Sequence, residues 1–297
     1  MKRGMEQLVS RMKCPKCRGN FTLEIKESDG GDVIEGALCC ANGHRFGIHG
    51  GVADFGSEEQ KDGNAWSEYL QSVSYDELNE QIENAKTEKE KLDQRKILNE
   101  AVACIKAANP EIVVDIASGR GMLLEELAKE LSDETIIMAT DLSFEILVRD
   151  RLKFKKLYPS KNIVYLACDA TEMPLQDGAA DVTVSFFGVA NMIGIVDKGL
   201  AEASRVTKDG GSFYNCILNI KEDSEGFAKL KDICEKNDLN GDERCFLEDD
   251  CLKMHRDHFG KVSINRVVES IYDCTENALD LLPYPGEWFA YNIFVCL

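Results

Sequence analysis

The sequence lacks the long apolar runs that membrane-spanning helices need. No uninterrupted apolar stretch reaches the roughly 18 residues of a spanning helix, and the basic residues 1–11 have no apolar segment behind them. We therefore expect neither a membrane span nor a secretory signal, and we expect a cytoplasmic protein. The sequence also has no internal repeat and no low-complexity segment.

Positive charge is scarce as well. The chain has 35 Lys and Arg against 53 Asp and Glu, which gives a formal net charge of −18. A general nucleic-acid binder needs a basic surface, so this balance argues against one. Residues 1–50 are the exception, because they hold eight basic residues against six acidic ones. Any contact with RNA is therefore expected in this N-terminal segment.

Twelve cysteines are spread over a chain of 297 residues, of which 44% are hydrophobic. A chain of this size and composition can bury a large core. Because no export signal is expected, we interpret the cysteines as reduced thiols rather than a disulfide framework. Only four of them cluster, at positions 14, 17, 39 and 40.

From residue 111 onward, strand patterns alternate with helical patterns. Strands are predicted over 112–116, 135–140, 163–168, 181–187, 212–220, 262–272 and 288–296, with helices over 121–131, 143–157, 197–206, 224–237 and 247–259. Such alternation is typical of a parallel sheet covered by helices on both faces. The last two strands have no helix between them, which predicts one antiparallel strand. We expect a doubly wound, mostly parallel, seven-stranded α/β sheet.

Three parts of the chain are predicted. Residues 1–56 form a small metal-binding module and residues 57–108 form a helical connector, in which apolar residues from Leu92 to Ile105 recur at helical spacing. Asn109-Pro110 ends that pattern. Residues 109–297 form the α/β domain.

A glycine-rich turn, Asp115-Ile116-Ala117-Ser118-Gly119-Arg120-Gly121, follows the first predicted α/β strand, and acids follow the next two strands at Asp141 and Asp169. Ligands bind at the carboxyl ends of strands in such sheets. Glycines allow close backbone approach, and a strand-end acid can bind a ribose diol. A dinucleotide-binding turn would read Gly-x-Gly-x-x-Gly, but position 124 is Leu.

The turn Asp115-x-Ala117-x-Gly119-x-Gly121 resembles the first motif of class I S-adenosylmethionine-dependent methyltransferases, with Ala in place of the first Gly. The resemblance implies a Rossmann-like fold. It also implies that Asp115 and the turn hold the methionine part of the cofactor, Asp141 the ribose, and Leu142 with Asp169 and Ala170 the adenine. The cofactor-binding set is Asp115, Ala117, Ser118, Gly119, Gly121, Asp141, Leu142, Asp169, Ala170 and Ser185. No catalytic residue is assigned.

Two cysteine-containing pairs in the N-terminal segment have the spacing of zinc ligands. Cys14-Pro15-Lys16-Cys17 is a Cys-x₂-Cys knuckle, and Cys40 with His44 is a Cys-x₃-His pair. A hairpin is predicted between the pairs. Four such ligands make a closed, tetrahedral, structural site of the zinc-ribbon kind. Cys39 is an alternative to Cys40, although the spacing to His44 favours Cys40.

The module and the glycine turn together resemble the bacterial ribosomal RNA guanine-N1 methyltransferases, which carry a similar zinc module. The acidic charge nevertheless favours a small-molecule methyl acceptor. RNA methylation through the basic module is the alternative, and a non-catalytic protein that binds a partner through residues 57–108 is another. Trp66, Tyr69, Asn191, Tyr284 and Trp288 are weaker candidates for an acceptor pocket. His255 and His258 are expected on the solvated face of a helix.

Overall fold

The computed structural model describes residues 4–56, 75–239, 241–273 and 283–297. Within these ranges one eleven-stranded sheet has the order β1-β2-β3-β4-β7-β6-β5-β8-β9-β11-β10. Its strands are β1 Phe21–Asp29, β2 Asp32–Cys40, β3 Arg45–His49, β4 Val52–Asp54, β5 Ile112–Asp115, β6 Ile136–Asp141, β7 Asn162–Ala167, β8 Ala180–Phe186, β9 Thr207–Ile220, β10 Val262–Ile271 and β11 Trp288–Cys296.

All seven strands predicted for the α/β domain are present as β5 to β11. β5, β6, β7, β8 and β9 pair in parallel, whereas β11 is antiparallel to both β9 and β10. β9 is longer than predicted, since it begins at Thr207 and includes the expected turn at residues 208–211. A register shift between Ala180 and Val182 of β8 accommodates these extra residues.

The N-terminal strands lengthen the same sheet. β1 and β2 form the predicted hairpin, β3 and β4 continue it, and β4 pairs in parallel with β7. The amide of Phe55 also donates to the carbonyl of Ala167 at 2.7 Å. The sheet is therefore continuous from the N-terminal module to the α/β domain. The division of the chain into three parts stays a prediction.

Helices cover the sheet. They are α1 Met5–Leu8, α2 Tyr75–Ala85, α3 Glu88–Ala107, α4 Met122–Glu130, α5 Phe144–Leu157, α6 Val196–Val206, α7 Glu225–Lys236 and α8 Glu248–His258. α3 ends at Ala107, just before Asn109-Pro110, as the sequence predicts. Ser143 caps α5, because its hydroxyl accepts the amide of Ile146 at 3.4 Å. Residues 57–74 of the predicted connector lie outside the described residues.

Two apolar layers hold the sheet between the helices. One layer joins buried residues of the N-terminal module, such as Met12 and Ile48, to Val114 and Leu166 of the α/β domain. The module therefore shares a hydrophobic core with the rest of the chain. The second layer includes Ile97 and Ile105 of α3, which are fully buried.

His255 does not lie on a solvated helix face, so that expectation was wrong. The side chain of His255 is 1% exposed and stacks between Phe213 and Phe294. Its Nδ1 contacts the carbonyl of Cys251 at 2.7 Å, and its Nε2 lies 3.0 Å from the amide of Asn215. α8 therefore packs on a face of the sheet through His255, although the sequence pattern of the helix is polar at this position.

Candidate functional site at the carboxyl edge of the sheet

The acids predicted from the sequence lie at the carboxyl edge of the parallel strands. Asp115 ends β5, Asp141 ends β6, and Asp169 follows β7. A fourth acid, Asp54, ends β4 in register with Ala167 of β7. Sequence reasoning missed Asp54, because nothing in its own segment indicates that a three-residue strand joins the parallel sheet.

The glycine turn follows β5 in a compact conformation. Ala117, Gly119 and Gly121 have positive φ angles of 54°, 53° and 68°, a backbone region that L-residues other than glycine rarely adopt. The amide of Ser118 donates to the carbonyl of Thr140 at 2.8 Å, which ties the turn to β6. A Cβ placed on Gly119 would meet only the carbonyl of Ala117, 3.9 Å away. The outer surface at Gly119 is therefore open to a ligand.

Gly188, which follows β8, supports the turn from the other side. A Cβ at Gly188 would lie 2.7 Å from the Cβ of Ala117 and 2.9 Å from the carbonyls of Ile116 and Ala117. Any larger residue would push the turn out of place. In the sequence, the only sign of this contact between Gly188 and the turn is the glycine itself.

Asp115 and Ser118 have buried polar atoms that find no hydrogen-bond partner among the described residues. Asp115 is 1% exposed, and both of its carboxylate oxygens are unpartnered. Burial, and then the neighbouring Asp141 and Asp150, hold the pKa of Asp115 well above its usual range. Buried polar groups are normally satisfied. This site therefore fits a ligand that brings a positive charge and hydrogen-bond donors.

Asp141 fastens the glycine turn. Its Oδ2 accepts the amide of Gly119 at 2.8 Å, and its Oδ1 accepts the amide of Ser143 at 2.9 Å. Burial raises the pKa of Asp141, and these amide hydrogen bonds oppose that shift. A contact with a ribose would use the remaining lone pairs or replace the bond to Gly119. Leu142, next along the chain, is 37% exposed at the same edge.

Asp169 and Ser185 use their side chains locally. Asp169 Oδ1 accepts both the amide and the hydroxyl of Thr171 at 2.7 Å, which shapes the turn that contains Ala170. Ser185 is fully buried and donates to the carbonyl of Ile116 at 3.1 Å. Ser185 therefore lies beneath the turn and supports it, whereas Asp169 lies at the edge.

The helical connector reaches the glycine turn through Arg120. The guanidinium donates to Asn79 Oδ1 at 2.7 Å and lies 3.3 Å from Glu83 Oε1, and both partners are on α2. Lys86 in turn donates to Glu83 and to Gln94, at 2.7 Å each. Sequence reasoning missed this contact, since it joins residues about forty positions apart.

An aromatic wall borders the turn beyond β8. Phe187 contacts Tyr291 of β11 with ring centroids 5.4 Å apart, and Tyr291 contacts Phe289 at 4.9 Å. The Tyr291 hydroxyl donates to the buried carboxylate of Glu90 in α3. Burial raises the pKa of Glu90 and of Tyr291. A hydrogen-bonded acid and phenol thus lie behind an apolar ring surface.

Three of the five residues named from sequence as weak acceptor-pocket candidates lie among the described residues, and each of the three has a local partner. Trp66 and Tyr69 lie outside the described residues. Asn191 donates to the carbonyl of Phe187 at 2.8 Å, so it is close to the aromatic wall. Trp288 lies under the ammonium of Lys221 and donates to Glu269, and Tyr284 contacts Lys229.

The N-terminal module brings Cys14, Cys17, Cys40 and His44 together, with all four ligand atoms within 4.8 Å of one another. Cys14 and Cys40 Sγ each lie 3.4 Å from His44 Nδ1, and Cys17 Sγ lies 3.7 Å from Cys40 Sγ. Tetrahedral zinc with Zn–S near 2.3 Å and Zn–N near 2.0 Å sets S···S at about 3.8 Å and S···N at about 3.5 Å. The donor set therefore fits zinc.

Cys39 is not part of this cluster. Alternation along β2 directs its side chain to the opposite face from that of Cys40. Its Sγ lies 2.9 Å from the guanidinium of Arg45 instead.

The strand order around β5 and the acids at its carboxyl edge define the class. The chain has the Rossmann-like fold of class I methyltransferases. Phosphoethanolamine N-methyltransferase 2 of Haemonchus contortus, solved with S-adenosyl-L-methionine, has a TM-score of 0.52 at 15% identity, covering 80% of this chain and 60% of that one. The MccD protein has a TM-score of 0.50 at 13% identity, covering 68% and 96%. At these identities the likeness concerns the fold alone.

The chain belongs to the ubiE/COQ5 methyltransferase family, whose family model matches residues 59–229. The ubiquinone/menaquinone biosynthesis C-methyltransferase UbiE of Geobacter sp. (strain M21) is 32% identical over 124 residues, which are 40% of this chain and 52% of that protein. The demethylmenaquinone methyltransferase of Bacteroides fragilis (strain YCH46) is 33% identical over 111 residues, covering 37% and 44%. The chain spans about half the length of these relatives.

The resemblance to ribosomal RNA guanine-N1 methyltransferases is not confirmed by these comparisons. The family model matches residues that lie after the cluster of Cys14, Cys17, Cys40 and His44. Across the described parts of the chain, no helix combines the length and the apolar character that a membrane crossing requires.

Proposed function

We propose that the chain transfers a methyl group from S-adenosylmethionine to a small-molecule acceptor. The observation that carries this proposal is the unpartnered, fully buried carboxylate of Asp115 beside the open backbone of Gly119. An uncompensated buried carboxylate is costly, and a cationic ligand relieves the cost. Membership of a methyltransferase family supplies the identity of that ligand.

The carboxyl edge offers a place for each part of the cofactor. Asp115, Ala117, Ser118, Gly119 and Gly121 would hold the methionine end, Asp141 the ribose hydroxyls, and Leu142 with Asp169 and Ala170 the adenine. The bound cofactor supplies a methyl group on a positively charged sulfur. The protein's share of the reaction is to hold the acceptor atom in line with that methyl group and to exclude water. Ser185 keeps the turn in place from beneath.

For the acceptor we propose a quinol-type ring that is methylated on carbon. The support comes from the names of the relatives and from the ring of Phe187, which is partly exposed, packs on the buried Tyr291 and offers a surface against which a planar ring can stack. The net charge of −18 disfavours a polyphosphate acceptor such as RNA.

We also propose that Cys14, Cys17, Cys40 and His44 bind one structural zinc ion. Four protein ligands close the coordination sphere, so the ion has no open position for chemistry. The module would then stabilise the position of β7, because β4 pairs with β7 and Asp169 follows the end of β7. The pKa of Cys14 is raised to about 11 by burial, and a bound metal would compensate for ionising that thiol.

The cofactor assignment is tested by Asp141→Ala. The substitution removes the proposed ribose contact and the bond to the Gly119 amide. It should weaken S-adenosylmethionine binding by about tenfold to a hundredfold, because one charge-assisted hydrogen bond contributes about 1.5–3 kcal/mol. Titration calorimetry measures the affinity, and Asp209→Ala, which removes an exposed acid of β9, is the matched control. The assignment fails if the wild type binds neither S-adenosylmethionine nor S-adenosylhomocysteine, or if Asp141→Ala binds as tightly as the wild type.

The acceptor assignment is tested with methyl-labelled cofactor offered to a demethylated naphthoquinol, a benzoquinol and total RNA in parallel. We expect label in a solvent-extractable quinol and none in RNA above the no-enzyme level. Substituting Phe187 by Ala should raise KM for the quinol, since it removes part of the ring surface. Label in RNA that is lost on ribonuclease treatment, with none in either quinol, would contradict the assignment.

The zinc assignment is tested by metal analysis of protein purified without chelator. Wild type and Cys39→Ser should each hold about one zinc per chain, whereas Cys40→Ser should lose it. The two variants change neighbouring residues in the same way, so they separate ligand loss from general damage. A metal-free wild type, or zinc that survives Cys40→Ser but not Cys39→Ser, would refute the proposed ligands.

A further inference from the structure

A third buried acid lies next to the glycine turn, on α5. Asp150 is fully buried, and its Oδ1 accepts from Arg149 at 3.1 Å. Its Oδ2 finds no hydrogen-bond partner among the described residues. Neither the family motif nor the reaction described above uses this carboxylate.

Asp150 lies against the turn itself. A Cβ placed on Gly121 would be only 2.5 Å from Asp150 Oδ2 and 3.2 Å from the ring of Phe154. The unpartnered oxygen therefore lies against the backbone at Gly121, two residues from the open position at Gly119. Asp115 and Asp141 lie near enough that the charge of Asp150 raises the pKa of Asp115, and that of Asp141 raises the pKa of Asp150.

We propose that Asp150 is a positioning residue of the cofactor site, which acts through the turn and its two acids to favour the cationic cofactor over its uncharged product. This rests on the proposed function. S-adenosylmethionine and S-adenosylhomocysteine differ by a methyl group and by one positive charge on sulfur. Buried carboxylates interact strongly with such a charge, because the surroundings screen it poorly. Asp150 would thus help the site to release its product.

The same arrangement couples cofactor binding to the release of a proton from Asp150. Burial raises the pKa of Asp150 to about 7, against the opposing effects of Arg149 and Lys153 on its own helix. Asp141 at the end of β6 and Glu125 on α4 raise it further. On the neighbouring strands, Asp115 of β5 and the phenol of Tyr165 of β7 interact with the Asp150 charge.

The sign of the linkage follows from these charges. Near neutral pH the free protein holds part of a proton on Asp150, and a bound cation lowers the pKa and expels that proton. Affinity for the cationic cofactor should therefore rise with pH up to about 7 and level off above it. The product, which lacks the sulfonium charge, should show a smaller rise. Asp150→Asn leaves the α-amino group of each ligand unchanged, so the comparison of variant with wild type separates the titration of that group from that of Asp150.

Calorimetry with both ligands tests this proposal. Titrations at about pH 7 in two buffers of different ionisation enthalpy give the number of protons released. We expect the wild type to release more protons with S-adenosylmethionine than with S-adenosylhomocysteine. Asp150→Asn keeps the shape and removes the charge. It should reduce that difference and lower the cofactor-over-product affinity ratio by about threefold to tenfold, whereas Asp209→Asn should change neither.

Equal proton release with the two ligands in the wild type overturns the proposal, whether or not the variant folds. An unchanged affinity ratio in folded Asp150→Asn overturns it as well. If the wild type binds neither ligand, both the proposed function and the proposed role of Asp150 fail. Binding of both ligands with equal proton release contradicts only the role of Asp150.

Discussion

Three carboxylates are buried around one backbone turn, and the architecture of the site depends on this arrangement. Asp115, Asp141 and Asp150 come from a strand end, the next strand end and the following helix, and the turn at Gly119 and Gly121 lies between them. Like charges in a poorly screened interior repel one another, so such a cluster destabilises the free protein. A ligand that brings positive charge removes that penalty, which is the physical basis for assigning a sulfonium cofactor to this edge.

The rest of the molecule holds this arrangement in place. Gly188 and Ser185 support the turn from β8, and the amide of Ser118 bonds to β6. Arg120 attaches the connector helix α2 to the turn. On the far side, the N-terminal module adds β4 to the parallel sheet beside β7. The cluster of Cys14, Cys17, Cys40 and His44 lies in the same module, with Cys40 and His44 at the turn between β2 and β3.

Local patterns predicted much of this structure. The alternation of apolar runs indicated the strands and helices from β5 onward, and the spacing of Cys14, Cys17, Cys40 and His44 indicated a cluster that the fold brings together. These signals are local, because strand and helix periodicity and ligand spacing are properties of short segments. Asp141 and Asp169 could be placed at one edge, since parallel strands end on the same side.

Contacts between distant segments were not predictable in this way. The pairing of β4 with β7 depends on which edge strand is free, and β4 has only three residues to indicate it. The position of Asp150 beneath Gly121 requires the packing of α5 on the turn, and a polar residue in a helix is usually assigned to the surface. His255 was misassigned for the same reason, because its polar neighbours in sequence concealed an aromatic stack.

The most direct test of the account is a crystal structure of the protein with S-adenosylhomocysteine. The account predicts the ligand at the carboxyl edge, with its amino group within hydrogen-bond distance of Asp115 or the turn. The adenine should lie between Leu142 and Ala170. Ligand density elsewhere, with the Asp115 carboxylate still unpartnered, would contradict the assignment of this edge as the cofactor site.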